Sequence, residues 1–341
     1  MTTETLAAFT PIPVAPEGFK SGFVAIIGRP NVGKSTLMNY LVGQKIAITS
    51  PVAQTTRNRL RGILTTEQAQ IIFVDTPGIH KPHHELGRVI VKNAQSVINQ
   101  VDVVLFVVDS TTTAGGGDRY IAELLTHLST PVLLGINKID QVLPNLTDST
   151  DETIKNSENA LKNTTNKTAN PTEFIESYQN LAKENNWSVL PFSALTGEGL
   201  EQLQGQLIER LEPGPYYYPP DLVTDQPERF IMGELIREQI LLLTRQEVPH
   251  SVAIVIEKIE ETPARTSVFA AITVERDSQK GILIGKQGNM LKAIGSASRQ
   301  HIQKLIEGEV YLKLFVKVEP KWRQSRSQLA ELGYRLEDGS Y

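Results

Sequence analysis

Residues 28 to 35 are Gly28-Arg29-Pro30-Asn31-Val32-Gly33-Lys34-Ser35, and their chemistry is that of holding a polyphosphate. Glycines at this spacing let the backbone curl with its N–H groups inward, and a helix leaving the turn adds positive dipole, so main chain holds most of the anion. Lys34 would reach the β- and γ-phosphates and the Ser35 hydroxyl would ligate Mg2+. The expected phosphate contacts are Gly28, Asn31, Val32, Gly33, Lys34, Ser35 and Thr36.

Three further clusters fit the same ligand. Gln54-Thr55-Thr56-Arg57 lies where a nucleotide switch supplies a threonine to the metal, and Thr56 is favoured over Thr55. Asp75-Thr76-Pro77-Gly78 begins forty residues after Ser35; alone it is a good turn, but there Asp75 would hold Mg2+ through water and the Gly78 N–H would meet the γ-phosphate. Lys34, Thr56 and Gly78 are therefore the catalytic candidates, and Ser35, Thr56 and Asp75 the metal candidates. Asn137-Lys138-Ile139-Asp140 would choose the base: Asp140 can accept from guanine N1–H and the 2-amino group, and a wrong base leaving that acceptor unpaired is penalised by about 10⁴. The Lys138 stem would pack on the purine face, and a backbone N–H of Ser193-Ala194-Leu195 would meet guanine O6.

The residue after Gly78 bears on turnover. Ras-like proteins carry there a glutamine that orients the attacking water, whereas this chain has Ile79. Water positioning must come from a backbone group, a monovalent cation or a partner, and intrinsic turnover should be slow. His80, His83 and His84 follow, but exposed histidines without cysteines or clustered carboxylates do not make a metal site.

These residues need strands and helices that deliver them. The apolar runs Phe23 to Ile27, Ile71 to Val74, Val103 to Val108, Pro131 to Ile136 and Trp187 to Phe192 predict buried strands ending at the motifs, where α/β sheets place their ligands. A helix is expected from Ser35, and another around Tyr120 to His127. The polar stretch Leu143 to Asn170 is too poor in apolar residues to order itself and is expected to be a disordered insertion. The proline-dense 213–227 segment excludes helix and predicts a stiff linker.

Beyond it, Arg229 to Thr244 has helical periodicity, while Ser251 to Ile259 and Thr266 to Glu275 alternate as an antiparallel pair. Ile284-Gly285-Lys286-Gln287-Gly288 then precedes a helical stretch to Glu307 and a strand from Val310 to Val318. A Gly-x-x-Gly turn between helices lets the backbone of a single-stranded nucleic acid approach, with apolar flanks such as Ile284 and Ile294 facing bases. From Gln279 to Arg326 ten lysines and arginines stand against three glutamates, in a chain of net charge −4. That asymmetry is expected of an RNA-binding module. Ile284, Gly285, Lys286, Gln287, Gly288 and Lys292 are its candidate contacts.

At 341 residues the chain suggests two domains. The absence of cysteine excludes disulfide scaffolds and thiol catalysis. The first 18 residues have no secretory pattern and no apolar run reaches the roughly 20 residues of a membrane span, so a soluble cytoplasmic protein is expected.

The four nucleotide motifs occur in the order of a translation-factor-class GTPase. With the Gly-x-x-Gly turn, the chain from about Ser21 to Lys321 resembles the Era family of bacterial GTPases. The resemblance implies an α/β phosphate-loop GTPase domain with a mostly parallel sheet, then an α+β type II KH domain of order α-β-β-α-α-β. It divides the chain into a tail (1–17), GTPase domain (18–212), linker (213–227), KH domain (228–321) and C-terminal tail (322–341). It implies Mg2+-dependent GTP hydrolysis, GTP and GDP as ligands, the 3′ end of 16S rRNA and the 30S subunit as partners, a monomer, and peripheral membrane association. Asn31 matches an asparagine that helps hold K+ in related GTPases, which makes K+ a second candidate cofactor. The 143–170 insertion departs from the family pattern.

Overall fold

The computed structural model describes residues 12–49, 60–76, 78–79, 97–142, 171–244, 248, 251–325, 327–328 and 332. By their contacts these residues form two compact units. Residues 12–46 and 60–225 belong to the first; residues 47–49 and those from 226 onward belong to the second. The expected disordered insertion at 143–170 and histidines His80, His83 and His84 lie outside the described residues.

The first unit holds a six-stranded sheet of order β2-β3-β1-β4-β5-β6, formed by β1 (Lys20–Ile27), β2 (Leu60–Thr65), β3 (Ala69–Asp75), β4 (Val103–Asp109), β5 (Val132–Asn137) and β6 (Ser188–Pro191). All neighbours run parallel except β2, which is antiparallel to β3. Every residue of β3 and β5 is buried, as expected of parallel strands covered on both faces. Helices α1 (Lys34–Val42), α2 (Gly116–Thr126), α3 (Pro171–Glu184) and α4 (Leu200–Glu209) accompany the sheet. Because β1 has β3 on one side and β4 on the other, the chain changes direction across the sheet at the end of β1. The crevice for a ligand opens there, where Gly28 begins the phosphate loop.

The proline-rich segment is not a free spacer. Through Asp225 it belongs to the first unit and runs against β1, β3 and the free edge of β2. Gln70, fully buried, accepts from the Tyr217 and Tyr218 N–H groups at 2.8 and 3.0 Å and donates to Thr65 Oγ1 and the Tyr218 carbonyl. Farther on, Ile63 N donates to Val223 O at 2.9 Å, Thr224 Oγ1 donates to Arg61 O at 2.6 Å, and Arg61 pairs with Asp225 at 2.9 Å. These bonds occupy an edge that would otherwise present unpaired backbone groups.

The second unit places α5 (Glu228–Leu243), β7 (Ala253–Glu261), β8 (Arg265–Val274), α6 (Asp277–Ile284), α7 (Asn289–Ile302) and β9 (Glu309–Val318) in chain order. The sheet order is β7-β8-β9, with β7 and β8 antiparallel and β8 and β9 parallel. Its core joins Ile231, Leu235, Ile236 and Ile240 of α5 to Val268, Ala270, Ile272 and Val274 of β8 and to Ile294 of α7. α7 ends at Ile302, short of the expected Glu307. The unit also does not stop at Lys321: Trp322 is 1% exposed and its Nε1 donates to Ser251 O at 3.3 Å, so the expected C-terminal tail starts inside the core.

α5 also buries charge. Arg237 donates from Nε and Nη2 to the two oxygens of Glu234 at 2.8 and 2.6 Å, the bidentate geometry a guanidinium favours. Glu238, 1% exposed, accepts from the Thr49 N–H at 2.8 Å and its hydroxyl at 3.2 Å. An apolar periodicity leaves such residues unassigned.

Candidate functional site

The phosphate loop leaves β1 and enters α1 through two residues of positive φ, Asn31 at 65° and Gly33 at 98°. Gly33 is required for a second reason. A Cβ there would lie 2.2 Å from Asn137 Nδ2, and that amide donates to Val32 O at 2.8 Å. Lys34 is buried, and its ammonium donates to the Gly28 and Arg29 carbonyls at 3.2 and 2.9 Å. Burial pushes its pKa down to about 8, with Asp75 pulling the other way. A buried ammonium with neutral carbonyls as its hydrogen-bond partners among the described residues is poised for an anion.

Ser35 Oγ donates to Asp75 Oδ2 at 3.1 Å, bringing together two of the three expected metal ligands; Thr56 lies outside the described residues. Mg2+ keeps several waters and takes one or two carboxylates plus substrate phosphates, not an all-protein cage. One hydroxyl beside one carboxylate fits that ion. Among the described residues no group of three or more His, Asp or Glu could hold a metal by itself.

Gly78 lies against the loop: a Cβ would meet the Pro30 backbone at 2.7 Å. Pro77 is outside the described residues. Thr76 is buried, and its hydroxyl donates to Ile26 O at 3.0 Å and ties β3 to β1. Ile79, at the position of the Ras-like glutamine, is 1% exposed in the core with Ala25, Ile27, Val97 and Ile98. Its N–H donates to Gly28 O at 3.1 Å.

Asn137, Lys138 and Asp140 follow β5. Asn137 Oδ1 accepts from the N–H groups of Lys138 and Ala194 at 2.7 and 2.9 Å, tying the Ser193-Ala194-Leu195 turn to the end of β5. Ser193 Oγ donates to Asp140 Oδ1 at 2.6 Å, which orients the carboxylate. Lys138 pairs with Asp109 at 2.5 Å. Arg29 pairs with buried Asp118 at 2.7 Å and donates to Thr112 Oγ1 at 3.2 Å. Sequence reasoning assigned neither aspartate, because each is remote in sequence from its partner and part of no motif.

In the second unit, Gly285 at φ 69° and Gly288 at φ 78° frame a turn between α6 and α7 in which Gln287 is also left-handed, at φ 53°. A Cβ on Gly285 would meet Met290 Cβ at 2.7 Å. Lys286, Gln287 and Lys292 are exposed and Ile284 is half-buried. Ile294 departs from expectation. It is fully buried in the core and cannot face a base.

Comparison with known proteins agrees with this architecture. The family model described as 50S ribosome-binding GTPase matches residues 23–138, and a KH domain model matches residues 247–323. The chain is similar to GTPase Era of Rippkaea orientalis, 69% identical over 326 residues covering 96% of each chain. It is also similar to GTPase Era of Crocosphaera subtropica, 66% identical over 98% of each. Among solved structures it resembles Era in complex with MgGDPNP and nucleotides 1506–1542 of 16S ribosomal RNA, at 36% identity and a TM-score of 0.80 over 93% of this chain and 99% of that one. An Aquifex aeolicus Era variant bound to GDP·AlF4− gives 35% identity and the same score and coverage. Matched almost end to end at this identity, the chain belongs to the Era family of GTPases, a phosphate-loop GTPase domain followed by a KH domain.

Proposed function

We propose that this GTPase binds 16S rRNA near its 3′ end through the Gly285-x-x-Gly288 turn and supports maturation of the 30S subunit, with the nucleotide state gating RNA binding. The observation that carries the reading is the left-handed, glycine-framed turn with exposed Lys286 and Gln287 between two helices, in a chain whose first unit assembles a guanine-nucleotide site. The relative solved with a 16S rRNA fragment supports the choice of RNA. Ile284, Gly285, Lys286, Gln287, Gly288 and Lys292 form the clamp, which admits about four backbone nucleotides.

In the first unit the main chain from Gly28 to Thr36, with Lys34, holds the phosphates. Ser35 and Asp75, with Thr56, hold Mg2+, which supplies charge neutralisation at the β- and γ-oxygens. Gly78 senses the γ-phosphate, and Asn137, Lys138 and Asp140 take guanine. With Ile79 buried, no side chain at that position orients the attacking water, and K+ held beside Asn31 is the proposed second cation; phosphate release faster in K+ than in Na+ tests it. GTP orders the switch threonine and hydrolysis releases it. Thr49 is held by Glu238 of α5.

The working form is a cytoplasmic monomer. Membrane association is proposed as peripheral; among the described residues no helix is long and apolar enough to cross a membrane.

The test is binding of single-stranded RNA carrying the 16S 3′ end against a scrambled control, with protein loaded with GTP analogue or GDP at stated salt. Tighter, sequence-dependent binding in the GTP-like state is expected, and Lys286→Asp with Gln287→Asp should abolish it. Equal binding to both RNAs in both states would overturn the reading.

A further inference from the structure

The loop between β4 and α2 carries none of the nucleotide motifs, yet an aspartate on each side of it pairs with a residue of one. Asp118 holds Arg29 of the phosphate loop, and Asp109 holds Lys138 of the base loop. The Asp109 carboxylate is built in place. Its Oδ1 accepts from the Thr111 N–H at 2.9 Å and the Thr111 hydroxyl at 2.7 Å, leaving Oδ2 for the Lys138 ammonium at 2.5 Å. Burial pushes this carboxyl up, but the hydrogen bonds from Lys138 and Thr111 outweigh it and hold its pKa below the ordinary value, so it is charged at neutral pH.

The other end of Lys138 is fixed as well. Its backbone is left-handed, at φ 68°, with its N–H on Asn137 Oδ1, and Asp109 and Asn137 are register partners in the parallel β4–β5 pair. The four-carbon stem is thus anchored at both ends by the protein itself. Exposed ion pairs contribute little, but the Asp109 side chain is only 14% exposed and already doubly hydrogen-bonded. A lysine stem loses rotamer freedom on packing against a ligand, and restricting it beforehand removes part of that loss from binding.

We infer that Asp109 is a positioning residue of the guanine site, holding Lys138 so that its methylene stem forms a ready wall against the purine face. The inference rests on the proposed role of Lys138 and goes beyond it.

The test is a double-mutant cycle on release of fluorescent GDP from the full chain, comparing wild type, Asp109→Asn, Lys138→Met and the double variant. Each single change should speed release by about tenfold, and the double change by no more than either alone, because both remove the same held stem. KM for GTP should rise in step while kcat moves by less than about twofold. Singles whose effects multiply, or wild-type release from Asp109→Asn with an unchanged Tm, would overturn the inference. Lys138→Met leaves Asp109 and its Thr111 bonds untouched, so wild-type release from that variant overturns it even if Asp109→Asn misfolds. Asp140→Asn separates the two levels of the argument: if it leaves GDP affinity intact, the guanine site itself is misassigned, whereas lost affinity keeps the site and confines any failure to Asp109.

Discussion

Asn137 Nδ2 donates to the Val32 carbonyl at 2.8 Å, so the loop after β5 and the loop after β1 are one hydrogen-bonded body. The same side chain accepts from the Lys138 and Ala194 N–H groups. Asn137→Ala would strand several partly or fully buried polar groups, each worth about 1–3 kcal/mol. A stability loss of about 2–4 kcal/mol and at least tenfold weaker GDP binding are expected, by denaturant unfolding and equilibrium titration. Loss of affinity at full stability would show that Asn137 acts on the ligand and not through the loops.

Lys34 predicts two opposite pH dependences. Its pKa falls from 10.5 in the unfolded chain to about 8 on folding, so between those values the unfolded chain binds the extra proton. Through that window the nucleotide-free protein should gain stability as pH rises. Nucleotide binding has the reverse sign, because phosphates favour the charged ammonium and raise its pKa again. Affinity should be flat below pH 7.5 and fall by up to about tenfold per pH unit above 8. Calorimetric GDP titration in two buffers of different ionisation heat should show proton uptake that is small near pH 7 and grows above pH 8; no uptake at pH 8.5 would refute a depressed Lys34.

Gln70 predicts that the strap from Tyr216 to Asp225 is part of the first unit's stability. Gln70→Leu keeps the volume but removes the acceptor for the Tyr217 and Tyr218 N–H groups and both donated bonds. A loss of about 2–4 kcal/mol is expected in the first unit's unfolding transition, with faster proteolytic cleavage between Pro213 and Asp225. Unchanged proteolysis would mean that the aromatic contact of Phe19 with Tyr216, at 4.4 Å between ring centroids, holds the strap without it.

Ile294 and Lys286 predict opposite phenotypes in one motif region. Ile294→Ala opens a cavity in the buried core of the second unit and should cost about 2–5 kcal/mol, with RNA affinity retained while the unit is folded. Lys286→Asp, on an exposed side chain, should leave Tm within about 1 °C and remove RNA binding. Thermal unfolding alongside RNA titration distinguishes the two, and an Ile294→Ala protein that is stable but fails to bind would return that residue to the RNA surface.

The places of Gly28 to Ser35, Asp75, Asn137 and Asp140 at strand-to-loop junctions were legible from sequence because apolar runs lead into each of them. Glycine, lysine, serine and aspartate at those junctions are the residue types that the proposed nucleotide site would need. The order of elements was legible for a similar reason, since burial on both faces makes the parallel strands continuous apolar runs. The Gly285-x-x-Gly288 turn was legible too, as only glycine takes its framing conformations easily.

What tertiary structure alone decided is which long-range partner each remaining polar residue meets. No local pattern distinguishes Ile284, half-buried, from Ile294, fully buried, because helical periodicity gives the apolar face and not what covers it. Gln70 sits unremarked in a strand until residues 217 and 218 arrive to be held by it. Glu238 and Trp322 look like surface helix and tail until Thr49 and the Ser251 carbonyl bury them. Asp109 and Lys138 stand twenty-nine residues apart, and only the parallel pairing of β4 with β5 sets them side by side. A carboxylate's role follows from the cation placed against it, and in this chain that placement is made by strand register, which spacing along the sequence does not encode.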